Sequence, residues 1–156
     1  MSQSATLYKD REGDSHWVLG DRYTFKATGA QTNGRFMLLE ALFFPGNGPP
    51  PHRHSREDET FFVLDGELEF MVSGEIHKLG KGGSVYLPEG VLHTFGNTTE
   101  SPATVLILTT PAGIEDFFVQ IGTPVSDLDE TAPAQEDVAK VMELAPKCGI
   151  AIEVPE

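Results

Sequence analysis

The sequence predicts an all-β protein, an antiparallel sandwich or barrel followed by one or two short helices. Three observations predict this fold. Short runs rich in aromatic and β-branched residues follow one another from Ser15 to Thr109. Glycine and proline, 16 and 11 of the 156 residues, break these runs with turn sequences. No helical pattern separates the runs before Pro111, and strands spaced this tightly pair antiparallel.

Nine segments in this part of the chain are predicted to be strands. They are residues 17–19, 23–27, 36–44, 59–64, 67–72, 76–79, 84–87, 93–96 and 103–108. Asp65-Gly66 lies between two alternating runs and predicts a hairpin. Alternation after this turn places Leu68 and Phe70 on a buried face and Glu67 on the opposite, wetter face.

The pattern changes after Pro111, where apolar residues recur at helical spacing. Residues 114–121 and 135–145 are predicted helices, residues 127–134 a polar loop, and Pro146 is expected to end the second helix. Both apolar faces are expected to cover the β-structure or a subunit interface. The chain is therefore predicted to be one domain, 1–156, with a barrel core at about 15–110 and a helical extension at 111–156.

The charge balance excludes some classes of partner. The formal net charge is −13, which disfavours nucleic acid and anionic membrane surfaces, because both attract clustered Lys and Arg. No apolar stretch approaches the length of a membrane span, and the first residues lack the apolar core of a signal peptide. Cys148 is the only cysteine, so a reducing, cytoplasmic location is expected.

Two segments framed by glycine and proline hold the residues with the most specific chemistry. His52 and His54 are two apart on an extended segment and so point to the same face. Glu59 follows a short bend, and His93 follows the turn at Pro88-Glu-Gly90. Three imidazoles and one carboxylate can bind a divalent transition metal and leave positions open for a substrate.

These segments resemble the two signature motifs of the cupin superfamily. The first motif is Gly, five residues, His-x-His, three or four residues, Glu, six residues and Gly. It is met by Gly46, His52, His54, Glu59 and Gly66. The second motif is Gly, five residues, Pro-x-Gly, two residues, His, three residues and Asn. It is met by Gly82, Pro88, Gly90, His93 and Asn97.

The resemblance implies a double-stranded β-helix, or jelly-roll, in which His52, His54, Glu59 and His93 hold one metal ion and Asn97 is structural. The ion would be Fe, Mn, Ni, Co, Cu or Zn. A homodimer is also implied. The run Gly48-Pro-Pro-Pro-His52 is similar to that of quercetin dioxygenase-like cupins.

The implied activity is a dioxygenase that cleaves a flavonol- or enediol-type small molecule, with Glu59 as general base. Phe61, Val63 and Phe95 are in register with the ligands and are expected to line the pocket, and Phe117 or Phe118 is expected to cover its mouth. Each of these residues can equally serve core packing. Two other functions use the same ligands. One is a non-catalytic or regulatory cupin that binds a small molecule, and the other is an isomerase or lyase acting on a keto acid or sugar derivative.

Overall fold

Twelve strands form two antiparallel sheets in the structure, a computed structural model that describes residues 4–133 and 137–153. The strands are β1 (Asp14–Val18), β2 (Asp21–Ala27), β3 (Met37–Phe43), β4 (His52–His54), β5 (Asp58–Asp65), β6 (Glu67–Val72), β7 (Glu75–Gly80), β8 (Ser84–Leu87), β9 (His93–Gly96), β10 (Ala103–Thr110), β11 (Thr123–Pro124) and β12 (Ile150–Ile152). The first sheet has the order β11-β1-β2-β3-β10-β5-β8 and the second β12-β4-β9-β6-β7. Each of the nine predicted strands overlaps one of them.

The two sheets face each other across an apolar core, so the predicted jelly-roll is confirmed. Within the described residues no strand pairing joins the sheets, and the fold is therefore a two-layered sandwich with open edges rather than a closed barrel. Four aromatic rings connect the layers: Phe43 and Phe61 from the first sheet contact Phe95 from the second at centroid distances of 5.3 and 5.0 Å, and Phe61 contacts Phe70 at 5.2 Å.

The turn at Asp65-Gly66 does not make the predicted hairpin. It joins β5 in the first sheet to β6 in the second, so the chain crosses between layers there. Gly66 has a φ of 79°, and a Cβ at this position would lie 2.9 Å from Ala103 Cα and from the Pro102 oxygen. The glycine is thus required by a close crossing. The hairpin lies at Ser73-Gly74, where Val72 pairs with Glu75.

In the part of the chain that the structure describes, three helices accompany the sheets: α1 (Gly29–Thr32), α2 (Ile114–Ile121) and α3 (Val138–Lys147). Helix α2 has the predicted bounds. The second predicted helix, residues 135–145, corresponds to α3. Residues 135 and 136 lie outside the described residues, and α3 continues past Pro146 to Lys147. Cys148 N–H donates to the carbonyls of Leu144 and Ala145, which closes the last turn around the proline. None of the described helices combines the length and the apolar character needed to cross a membrane.

Asn97 has the structural role predicted for it. Its side chain is buried, its Nδ2 donates to the carbonyls of Phe43 and Ser101, and its Oδ1 accepts from Thr99 N–H and Oγ1. The side chain thereby ties the loop after β9 to the end of β3.

Replacing Asn97 by alanine is expected to lower the free energy of unfolding by about 1–3 kcal/mol, because the buried Phe43 carbonyl loses its side-chain donor. Urea denaturation monitored by circular dichroism measures this. The matched control is Thr98→Ala, at an exposed neighbouring position, which should change stability by about 0.5 kcal/mol or less. Equal stability of the two variants would contradict the structural role.

Candidate metal centre

The structure brings the four predicted metal ligands to one point between the sheets. His52 and His54 are both buried on β4, and His93 lies opposite His52 on the neighbouring strand β9. Glu59 reaches the same point from β5, in the other sheet. The ligand atoms of the four residues lie within 4.8 Å of one another, and all four residues are buried. We call these residues the His3Glu cluster.

Hydrogen bonds fix the orientation of each imidazole. His52 Nδ1 lies 2.9 Å from the Pro50 oxygen, and His93 Nδ1 lies 3.0 Å from the Val91 oxygen. A carbonyl oxygen only accepts, so both Nδ1 atoms must carry the proton. The Nε2 atoms then keep their lone pairs, the form of imidazole that binds a metal.

Three buried atoms of the cluster have no hydrogen-bond partner: His54 Nε2, His93 Nε2 and Glu59 Oε2. The two nitrogens approach Glu59 Oε2 at 3.2 and 3.0 Å without hydrogen-bond geometry. Buried polar atoms are almost always satisfied, and leaving them unpaired costs free energy. A single cation would satisfy all three. The donors, imidazole nitrogens with one carboxylate, fit Fe, Mn, Ni, Co, Cu or Zn.

The electrostatics of the cluster favour the unprotonated ligand forms at two positions. Burial, reinforced by neighbouring His93 and His54, lowers the pKa of His52 to about 4, so its imidazole is neutral at pH 7. Burial alone would raise the pKa of Glu59, but the adjacent His93 and His54 outweigh it, and the pKa lies below its ordinary value. Burial likewise opposes the charged form of His54, but Glu57 and Glu59 outweigh it and raise the pKa of His54.

Glu57 belongs to the site, although its position in the sequence is within the short bend that precedes Glu59. Its Oε1 lies 2.6 Å from His54 Nδ1, and its side chain is buried. When the ring nitrogen that does not bind the metal donates a hydrogen bond to a carboxylate, the orientation of the imidazole is fixed and its basicity is raised. The signal available in the sequence was an acidic residue three positions after His54, but spacing alone does not distinguish Glu57 from Asp58 or Glu59 as the partner of His54.

Replacing Glu57 by alanine is expected to weaken metal affinity by roughly 10–100-fold, because His54 loses the acceptor that orients it. Competition of the protein with a chelator for Co²⁺ measures this change. Glu100→Ala removes an exposed carboxylate and serves as the control. A dissociation constant equal to that of the wild type would show that Glu57 does not position His54.

The cluster opens on a small cavity of about 60 Å³. His52, His54 and Glu59 line it, and so do three of the predicted pocket residues, Phe61, Phe95 and Phe117. The fourth, Val63, does not: it is two positions further along β5 and packs in the core.

Other parts of the cavity wall come from β2 and β12, whose role the sequence did not indicate, and from α3, whose apolar face was expected to cover the β-structure. Tyr23 extends from β2, Val141 from α3, and Ile150 and Ile152 from β12. Strand β12 pairs with β4, so the C-terminal segment 138–152 both covers the cavity and borders the strand that carries two ligands.

Comparisons with known proteins agree with this geometry. Residues 40–109, which include the whole His3Glu cluster, match the family model of the cupin domain. Over 114 residues the chain is 26% identical to the quercetin 2,3-dioxygenase of Bacillus subtilis (strain 168), a match that covers 72% of this chain and 33% of that protein. The chain spans between a third and about half of the length of the curated relatives it matches.

Two solved structures share the fold. KdgF from Halomonas sp. aligns with a TM-score of 0.64 at 23% identity, covering 72% of this chain and 99% of that chain. A sugar phosphate isomerase of the cupin superfamily from Silicibacter pomeroyi aligns with a TM-score of 0.53 at 26% identity, covering 60% of each chain.

Proposed function

We propose that this chain, whose residues 40–109 match the family model of the cupin domain, is a metal-dependent dioxygenase that cleaves a compact enediol-type molecule. One observation carries the proposal: the His3Glu cluster opens on a cavity whose other walls are almost entirely apolar. Such a cavity suits a substrate with an uncharged, apolar body and an ionisable oxygen. The likeness to a quercetin 2,3-dioxygenase supports the same class of reaction.

In this proposal His52, His54, Glu59 and His93 hold one divalent transition-metal ion. When bound, the ion supplies a Lewis acid for an enolate oxygen and a redox partner for dioxygen. Glu59, ionised because its pKa is lowered, accepts the proton of the substrate hydroxyl. Both atoms of dioxygen enter the cleaved product, so the reaction needs no external reductant.

The apolar walls contribute by excluding water from the reacting molecule. Phe61, Phe95 and Phe117 surround the cavity beside the cluster and offer no hydrogen-bonding group. A carbanion-like enolate in such surroundings is protected from reprotonation by solvent, and its interaction with the cluster is stronger than in water.

The size of the cavity favours a compact substrate over a flavonol. Pockets for drug-sized ligands commonly measure about 300–1,000 Å³, whereas this cavity measures about 60 Å³. A flavonol would fit only if Val141, Ile150 and Ile152 moved outward with the C-terminal segment 138–152. We therefore favour enediols and 1,3-dicarbonyl compounds of about the size of a single ring.

The likeness to a sugar phosphate isomerase favours a second candidate, an isomerase or lyase acting on a sugar derivative or keto acid. Such substrates carry a phosphate or carboxylate, which proteins usually bind with Arg or Lys. No Arg or Lys of the described residues lines the cavity. Arg53 instead donates to the Gly90 carbonyl and Arg56 to the Lys147 carbonyl, both as exposed side chains. The cavity chemistry therefore supports the dioxygenase over this alternative.

Oxygen uptake by protein reconstituted separately with Fe²⁺, Mn²⁺, Ni²⁺ and Co²⁺ tests the proposal, with catechol, acetylacetone and quercetin as substrates. Consumption of one O₂ per molecule cleaved is expected with at least one compact compound. Turnover of a sugar phosphate or keto acid under anaerobic conditions would instead support the isomerase or lyase. Thermal stabilisation by a compound that is never converted would support the non-catalytic binding protein.

A further inference from the structure

Among the described residues, Tyr23 is the single polar side chain that lines the cavity outside the His3Glu cluster. The cavity is lined by His52, His54 and Glu59, by Tyr23, and otherwise by aliphatic, phenylalanine and proline side chains. A molecule bound at the cluster therefore has one further side chain in the cavity wall with which to form a hydrogen bond. In a space of about 60 Å³, that molecule also lies against most of the wall.

The ring of Tyr23 is held in place by its neighbours at the wall of the cavity. Tyr23 lies opposite Ala41 in the first sheet, and its ring packs edge-on against Phe118 at 5.0 Å and Phe43 at 6.1 Å. The residue is 5% exposed and forms part of the cavity wall. Tyrosine hydroxyls in such surroundings normally find a hydrogen-bond partner, and a ligand in the cavity can supply one.

The hydroxyl remains a donor at physiological pH. Burial, with smaller contributions from Asp21 and Glu59, raises the pKa of Tyr23 well above its ordinary value.

We propose that Tyr23 donates a hydrogen bond to a second oxygen of the substrate, while the first oxygen binds at the His3Glu cluster. Tyr23 thereby selects compact molecules with two neighbouring oxygens, such as enediols and 1,3-dicarbonyls, over molecules with one. This inference rests on the metal centre and substrate class of the proposed function. It assigns a substrate-binding residue on β2, outside the segment that matches the cupin family model.

The test compares two ligands that differ by one hydroxyl, catechol and phenol. Each is titrated under anaerobic conditions into Co²⁺-loaded protein, and the visible absorption of the cobalt reports binding at the centre. In the wild type, catechol should bind more tightly than phenol. Tyr23→Phe should weaken catechol binding on the order of tenfold, the value of one hydrogen bond, and leave phenol binding unchanged.

The control is Tyr86→Phe, which removes the hydroxyl of a residue that is 60% exposed on β8 and should change neither affinity. Equal cobalt content and equal cobalt spectra in the three proteins show that the centre itself is intact. Catechol affinity that differs by less than about twofold between wild type and Tyr23→Phe would overturn the inference. Equal weakening of both ligands, or no binding of either to the wild type, would overturn it as well.

Failure of the proposed function gives a different result. If catechol shows the expected dependence on Tyr23 but no compound consumes oxygen, the dioxygenase proposal falls while the binding role of Tyr23 stands. If oxygen is consumed and catechol binding is independent of Tyr23, the activity stands and the inference falls.

Discussion

His93→Ala is expected to leave the protein folded but without its metal ion. His93 is 2% exposed, its Nδ1 is fixed by the Val91 carbonyl, and its Nε2 lies 3.0 Å from Glu59 Oε2. Removing a residue that hydrogen-bonds to a metal-ligating side chain lowers metal affinity roughly 10–100-fold, and removing the ligating side chain itself should lower it further. Elemental analysis of the purified variant by mass spectrometry measures the effect.

The matched control for this variant is His77→Ala. His77 is a half-exposed histidine on β7, outside the cluster, and its replacement should leave the metal content unchanged. Addition of metal should raise the melting temperature of the wild type and of His77→Ala, because an ion that binds the native state stabilises it. The melting temperature of His93→Ala should not change, since this variant is expected not to bind the ion. Near-stoichiometric metal in His93→Ala would remove this residue from the ligand set.

Glu59→Gln is expected to separate metal binding from proton transfer. Glutamine keeps the shape of the side chain and one oxygen ligand, so part of the metal is retained, but it lacks a basic carboxylate. General-base catalysis typically contributes about 10²–10⁴-fold to a rate. Oxygen uptake with catechol or acetylacetone, expressed per bound metal ion, should therefore fall by that factor.

Glu75→Gln provides the control for the loss of one carboxylate, because Glu75 is highly exposed on β7. Its oxygen uptake should equal that of the wild type. Unchanged turnover per metal ion in Glu59→Gln would exclude Glu59 as the base and assign it to metal binding alone.

The parts of the fold that the sequence predicted are those encoded by local pattern. Alternation along β6 predicted the burial of Leu68 and Phe70, and helical spacing predicted α2 with its observed bounds. The ligand set was predicted because His52, His54, Glu59 and His93 lie at motif spacing, so that no knowledge of the tertiary structure was needed.

The features that the sequence did not predict depend on contacts between distant segments. Asp65-Gly66 has the composition of a hairpin turn, and only the close approach of Ala103 shows that the chain crosses between sheets there. Tyr23 lies 36 positions before Glu59 in the sequence, and its place in the cavity follows from the packing of the first sheet. Strand β12, with three residues, is too short for its pattern to be read without its partner β4.

The pairing of β12 with β4 has a consequence for association of the protein with itself. In the second sheet β12 is the outermost strand and β4 lies inside it, so the backbone of His52–His54 is covered. Exposed strand edges are templates for pairing with other chains, and β4 without β12 would be such an edge. The last described strand therefore protects the ligand-bearing strand against intermolecular sheet extension, and proteolytic loss of residues 150–152 would favour aggregation through the metal-binding strand.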